Sequence, residues 1–160
     1  MTSKRKPRRN TEIAARPSRL ETVLFSIAAL VALAGLADAT YLTVAHLAGE
    51  HVACGGSKQC SEVLSSKYAS LFGIPLAALG GVGYFATFSF ATLVAFGYAR
   101  LRRFLGWTVL AMFLGTLWLL YLQAFVIHAY CTFCLLSAAC TFLIAGILLA
   151  VPPRRLESET

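Results

Sequence analysis

The sequence predicts an all-α integral membrane protein: a bundle of four transmembrane helices with an external loop that carries a short lid helix. Three observations predict it. Of the 160 residues, 58% are hydrophobic and only 13% charged, with a mean hydropathy of +0.72. Soluble domains carry charges on about a quarter of their residues, and disordered chains need low hydrophobicity with high charge, so both classes are excluded. The charges are also segregated: residues 4–19 hold seven Lys or Arg, whereas Leu71–Ala99 and Phe104–Val151 hold no charge at all. Finally, no segment alternates polar and apolar residues as a barrel strand does.

Crossing the roughly 30 Å of hydrocarbon takes about 20 apolar residues. Val23–Leu47 meets this with a single charge, Asp38. Leu71–Ala99 is long enough for one pass, entered through Gly73-Ile74-Pro75, with Pro early enough in the helix to be tolerated. Gly80, Gly81 and Gly83 suit close helix approach there. The 48 uncharged residues of Phe104–Val151 are too many for one pass and right for two. The break is expected at His128-Ala129-Tyr130-Cys131, since His and Tyr are at home near headgroups.

Orientation follows from the basic residues. The N-terminal tail carries seven, the Arg100–Arg103 loop three and the C-terminal tail two, against Lys58 and Lys67 in the first loop. Twelve of fourteen therefore lie on one side, which the positive-inside rule makes cytoplasmic. The net charge of +7 reads as orientation, and no nucleic-acid partner is expected. A cleaved signal peptide is not expected either, because Val23–Leu47 is too long for one. The chain divides into a basic cytoplasmic tail (1–22), a membrane domain (23–151) and a cytoplasmic C-terminal tail (152–160).

Candidate chemistry then falls to the external face, the loop of about residues 48–70 and the turn at 128–131. Cys54 and Cys60 lie in that loop, and Cys131-Thr132-Phe133-Cys134 opens the fourth helix on the same side. This is the oxidising side, where disulfides persist. A CxxC at a helix N-terminus sets its first thiol beside unpaired N–H groups and the positive dipole end, favouring the thiolate that attacks disulfides. Cys134, about one turn further in, is expected to be shielded from water and to face the bundle interior, with Cys131 toward the water. The Cys54–Cys60 segment, with Gly55, Gly56 and Ser57, is expected to be flexible enough to meet a soluble protein and then Cys131. The residues by themselves leave three arrangements open: a redox relay, two static disulfides, or a four-cysteine zinc site. An external face with no second CxxC disfavours zinc, and Leu135 stands where haem attachment wants His. No metal is expected. Cys140, among Ala138, Ala139 and Phe142, reads as a buried apolar residue.

Ser61 and Glu62 suit an N-cap and first turn, giving a short interfacial helix with Val63, Leu64 and Tyr68 turned to the bundle. It would lid a pocket between the helix tops or simply re-enter the membrane. Asp38 is the sole charge inside a span, a functional candidate by default. With Tyr41 three residues on, it suits ligand binding, proton relay or a structural hydrogen bond. Gln123 and His128, toward the outer end of the third helix, are candidates for hydrogen bonds to a quinone carbonyl.

The string Cys54-x5-Cys60-Ser-Glu-Val-Leu-Ser-Ser-Lys-Tyr-Ala, followed by Phe-Gly-Ile-Pro-Leu-Ala and by Cys-Thr-Phe-Cys at the last span, resembles bacterial vitamin K epoxide reductase homologues over about residues 23–151. The resemblance implies a four-helix bundle around a quinone (menaquinone, ubiquinone or phylloquinone) in the bacterial cytoplasmic membrane. Such a protein reoxidises a periplasmic thioredoxin-like (DsbA-like) thiol oxidase, here a separate partner. It assigns Cys54 to exchange with that partner, Cys60 to a transient disulfide with Cys131, Cys134 to the quinone and Ser66 to the active-site loop. Where eukaryotic members hold the ring with an Asn and a Tyr, this chain has Ala69 and Ala138, so quinone reduction is expected rather than epoxide reduction.

Overall fold

A computed structural model of the chain describes residues 18–49, 70–71 and 74–151. Cys54, Cys60, Ser66, Ala69 and the expected lid helix lie outside the described residues. Four helices are long and apolar enough to cross a membrane: α1 (Arg19–Ala48), α2 (Leu76–Ala95), α3 (Leu101–Tyr121, extended as a π-helix over Leu122–Ile127) and α4 (Thr132–Ala150).

Helix α1 starts four residues before the apolar run that announces it. Ser18 forms a capping box with Glu21: Glu21 N–H donates to Ser18 Oγ at 3.2 Å, and Ser18 N–H donates to Glu21 Oε2 at 2.9 Å. The reciprocal bonds satisfy two donors that the first turn would otherwise leave orphaned. At the far end, Gly49 takes the left-handed conformation (φ 66°), and its N–H caps the carbonyls of Ala45 and His46. Thirty residues reach roughly 45 Å at 1.5 Å each, more than the hydrocarbon requires.

The second span opens later than its composition suggests. Ser70–Leu71 (β1) and Ile74–Pro75 (β2) form a two-residue antiparallel ladder, Ser70 opposite Pro75 and Leu71 opposite Ile74. Pro75 then stands at the N-cap of α2. The residues before Leu76 thus make a turn rather than a first helical turn, as the missing Pro N–H and restricted φ permit.

Small residues set how closely the helices pack. Ala28, Ala32, Gly35, Ala39 and Leu42 are buried along one face of α1 at alternating four- and three-residue steps. In lipid, where apolar side chains gain nothing by leaving the solvent, such stripes let backbones approach and gain dispersion contacts. Gly35 is the tightest point: any Cβ there would collide with the ring of Tyr84, which is 1% exposed. Below it, Phe25, Ala28, Ala32, Ala91, Val94, Leu105, Val109, Cys140 and Ile144 form one continuous apolar core. Cys140 belongs to that core, as its apolar neighbours predict.

Antiparallel succession puts the end of α1, the start of α2, the π-helix and the start of α4 at one end of the bundle. There the backbone is irregular. The π-helix carries an extra residue per turn and ends at His128, whose φ of 55° is the one positive value among described non-glycine residues.

Candidate functional site

Cys131 is the N-cap of α4, with extended dihedrals (φ −93°, ψ 117°). No side-chain oxygen caps this helix, and Leu135 N–H to Cys131 O at 3.0 Å closes its first turn. The backbone N–H of Cys131 itself donates to Gln123 Oε1 at 3.1 Å. Gln123 is 2% exposed and reaches this position from the π-helix, so the irregular turn of α3 holds the start of α4. π-turns often mark functional sites because they re-aim side chains within an otherwise regular helix.

Cys131 and Cys134 are both thiols. Cys131 is fully buried, whereas Cys134 is half-buried. This departs from the expectation of an outer sulfur toward water: the N-terminal thiol of the pair is the more enclosed one. A hydrogen bond from the Cys134 thiol brings the Cys131 pKa down to about 7. The N–H groups of Cys134 and Phe133 add to this, while burial and the charge of Asp38 oppose it. The shift favours the thiolate, the species that attacks a disulfide.

Beside Cys134 lies a pocket of about 130 Å³. All four helices contribute. Asp38, Leu42 and His46 come from α1, Gly80 from α2, Thr116, Leu119, Leu120 and Gln123 from α3 with its π-extension, and Cys134, Ser137 and Ala138 from α4. The walls are mainly apolar with a few convergent polar groups, the usual make-up of a site for a flat organic ligand. Its volume is of the order of the roughly 150 Å³ apolar cavity known to admit a benzene ring. A quinone ring, apolar on its faces and polar only at its carbonyl oxygens, fits this donor set.

Ser137 is held in turn by Tyr84. The phenol donates to Ser137 O at 2.6 Å and lies 2.9 Å from Ser137 Oγ and 3.0 Å from Thr141 Oγ1. This knot ties α2 to α4 one turn below Cys134. It was not legible as such in the sequence, although a Tyr in a charge-free span must find polar partners.

Of the residues singled out by sequence, the pocket gathers Asp38, Gln123 and Cys134, with Cys131 one turn away. His128 is not among its walls: it is exposed, at the left-handed residue that ends the π-helix. Gln123 faces inward and His128 outward, which corrects the expectation that both face a ligand. Tyr41 is also outside, half exposed and packed on the ring of Phe133 at 5.3 Å. Three polar pocket residues were missed. His46 lies eight residues from Asp38 on the same face of α1, and Thr116 seven residues before Gln123 on α3, so helical spacing from the two recognised residues would have found them. Ser137 likewise follows Cys134 by three.

The fold and site define a four-helix membrane protein that holds a reactive dithiol against a ring-sized pocket. The chain belongs to the vitamin K epoxide reductase family, whose profile matches residues 26–149. It is thus a membrane oxidoreductase of the disulfide- and quinone-linked class.

Proposed function

We propose that the protein generates disulfides: it reoxidises a soluble thioredoxin-like (DsbA-like) thiol oxidase outside the bacterial cytoplasmic membrane and passes the electrons to a membrane quinone. In this reading both termini are cytoplasmic and the cysteines face outward. The partner's dithiol reduces the Cys54–Cys60 disulfide, Cys60 exchanges with Cys131, and Cys134 faces the electron acceptor. Each exchange breaks one S–S bond and forms another, so two electrons and two protons move together.

The observation that carries the reading is the contrast within one turn of α4. Cys131 is enclosed and has a depressed pKa, while Cys134 lines the pocket. A folded soluble protein has no surface of Cys131 to attack, which favours delivery by a cysteine pair on the chain's own loop. A quinone bound in the pocket would supply a sink for two electrons and two protons. Leu42, Leu119, Leu120 and Ala138 would cover its ring faces, and Thr116 and His46 would offer donors to its carbonyl oxygens. Gln123 keeps Cys131 at the head of α4, and the Tyr84–Ser137 knot keeps the first turns of that helix against the pocket. Ala138 presents a methyl group where the family's eukaryotic members place a phenol, which supports quinone reduction over epoxide reduction.

The test is oxidation of a reduced thioredoxin-like protein by the purified chain with a short-chain ubiquinone or menaquinone. Turnover is expected in the wild type and its abolition in Cys134→Ser, because that variant removes the sulfur at the pocket. Cys134→Ser is also expected to accumulate a Cys60–Cys131 mixed disulfide under mild reductant. Quinone reduction that survives the substitution sinks the relay order, and static loop disulfides sink the relay itself.

A further inference from the structure

One buried group has no part in the electron path. Asp38 sits in the middle of α1, and its Oδ2 is sealed from solvent with no hydrogen-bond partner among the described residues. An uncompensated carboxyl oxygen in this setting is costly, and membrane proteins retain such groups where they work on protons or ions. The residue lines the same pocket as Cys134. The other titratable groups around it are His46 from α1, Tyr84 from α2, and Cys131, Cys134 and Cys140 from α4. From α3 the pocket presents only the neutral Thr116 and Gln123 among polar residues.

Resting on the quinone reading, we propose that Asp38 is the proton-handling residue of the pocket, its Oδ2 accepting the proton that leaves Cys134 Sγ as the Cys131–Cys134 disulfide closes. Oxidation of the pair forms one S–S bond and releases two electrons and two protons. The electrons go to the quinone-class acceptor. The Cys131 proton is given up to water and the reduced acceptor takes one from water in exchange, while the Cys134 proton rests on Asp38 Oδ2 before passing to that acceptor. Asp38 ends as it began, so the balance is that of dithiol plus quinone giving disulfide plus quinol. The position of Oδ2 suits this work: the atom is shielded from solvent, and no hydrogen bond among the described residues must first be broken. General acid–base groups of this kind contribute about 10²- to 10⁴-fold to rate.

The experiment compares wild type, Asp38→Asn and Asp38→Glu, each full-length in detergent, with two readouts. The first is single-turnover oxidation of the reduced protein by short-chain ubiquinone across a pH series. Asp38→Asn is expected to slow it about 100-fold and to remove the carboxyl limb of the pH profile. Asp38→Glu is expected to recover most of the rate with a displaced limb. The second readout needs no quinone: the pH dependence of Cys131 alkylation. The carboxylate charge raises the Cys131 pKa, so Asp38→Asn is expected to lower it and Asp38→Glu to restore it. An Asp38→Asn protein that oxidises at the wild-type rate with an unchanged profile overturns the role, as does an unmoved Cys131 pKa. If Asp38→Asn does not fold, an unshifted profile in Asp38→Glu overturns it equally. A wild type that short-chain quinone cannot oxidise sinks the electron path instead, while the quinone-free titration still judges Asp38.

Discussion

The two ends of the bundle are built on different principles. At the end where α1 begins and α4 finishes, side chains are apolar and interlocked, and the described cap and hydroxyl hydrogen bonds stay within one helix. Ser18 and Glu21 cap α1, and Thr92 and Thr108 return their hydroxyls to carbonyls four residues earlier in their own helices. Arg102 lies over the Phe25 ring at 5.5 Å, a cation on an aromatic face between α3 and α1. At the cysteine end, polar groups bond across helices, a helix departs from α geometry, one non-glycine residue is left-handed and one carboxyl oxygen has no partner among the described residues. Strain and unsatisfied groups persist only where the surroundings hold them in place. The well-packed end supplies that support, and the cysteine end uses it to keep a thiol, an amide and a carboxyl around a pocket, with a second thiol one turn away.

Substitutions at each end test this division. Leu105→Ala removes a fully buried side chain from the packed end and is expected to cost about 2–5 kcal/mol. Thermal unfolding in detergent should show the loss, while the Cys131 alkylation profile stays as in the wild type. A shift in that profile would mean that the ends are coupled rather than separate. Gln123→Leu removes the side-chain oxygen that accepts from the buried Cys131 N–H, at a cost of about 1–3 kcal/mol. The effect should be local, with faster amide hydrogen exchange confined to residues 129–135. Uniformly faster exchange would show that Gln123 supports the whole bundle.

Tyr84→Phe is expected to have the smallest effect. It deletes the phenol hydroxyl, but Ser137 O retains a donor in Thr141 Oγ1 at 3.1 Å. Hydrogen bonds between membrane helices average about 0.6 kcal/mol, and a loss of that size is expected in unfolding. The apparent quinone KM should rise more than kcat falls, since Ser137 lines the pocket and Tyr84 does not touch it. A collapse of kcat would place the phenol in the chemistry.

How legible the site was depended on how local its causes are. Cys131 and Cys134 stand out because a CxxC at a helix start needs only its own turn to make sense. Asp38 stands out because a charge in a span is conspicuous. Gln123 and His128 looked equivalent, five residues apart near the end of one helix. An α-helix advances about 100° per residue, so residues five apart already stand about 140° from each other, and only one of the two can face the bundle. The apolar pattern of this charge-free stretch does not say which. The depressed pKa of Cys131 was anticipated from the helix terminus, yet its first cause is the neighbouring thiol, with the backbone N–H groups second.

The sequence by itself determined the number of crossings, the break at 128–131 and the placement of Cys131 and Cys134 at one end. Lipid forces each spanning segment to satisfy its own backbone, so hydropathy and loop composition decide those features segment by segment. Tertiary structure decided which polar residues meet. Gly35 sets how near Tyr84 comes to α1, Tyr84 fixes Ser137, and the π-turn delivers Gln123 to Cys131. Those contacts join residues from different helices, and their distances depend on close packing that no single segment encodes.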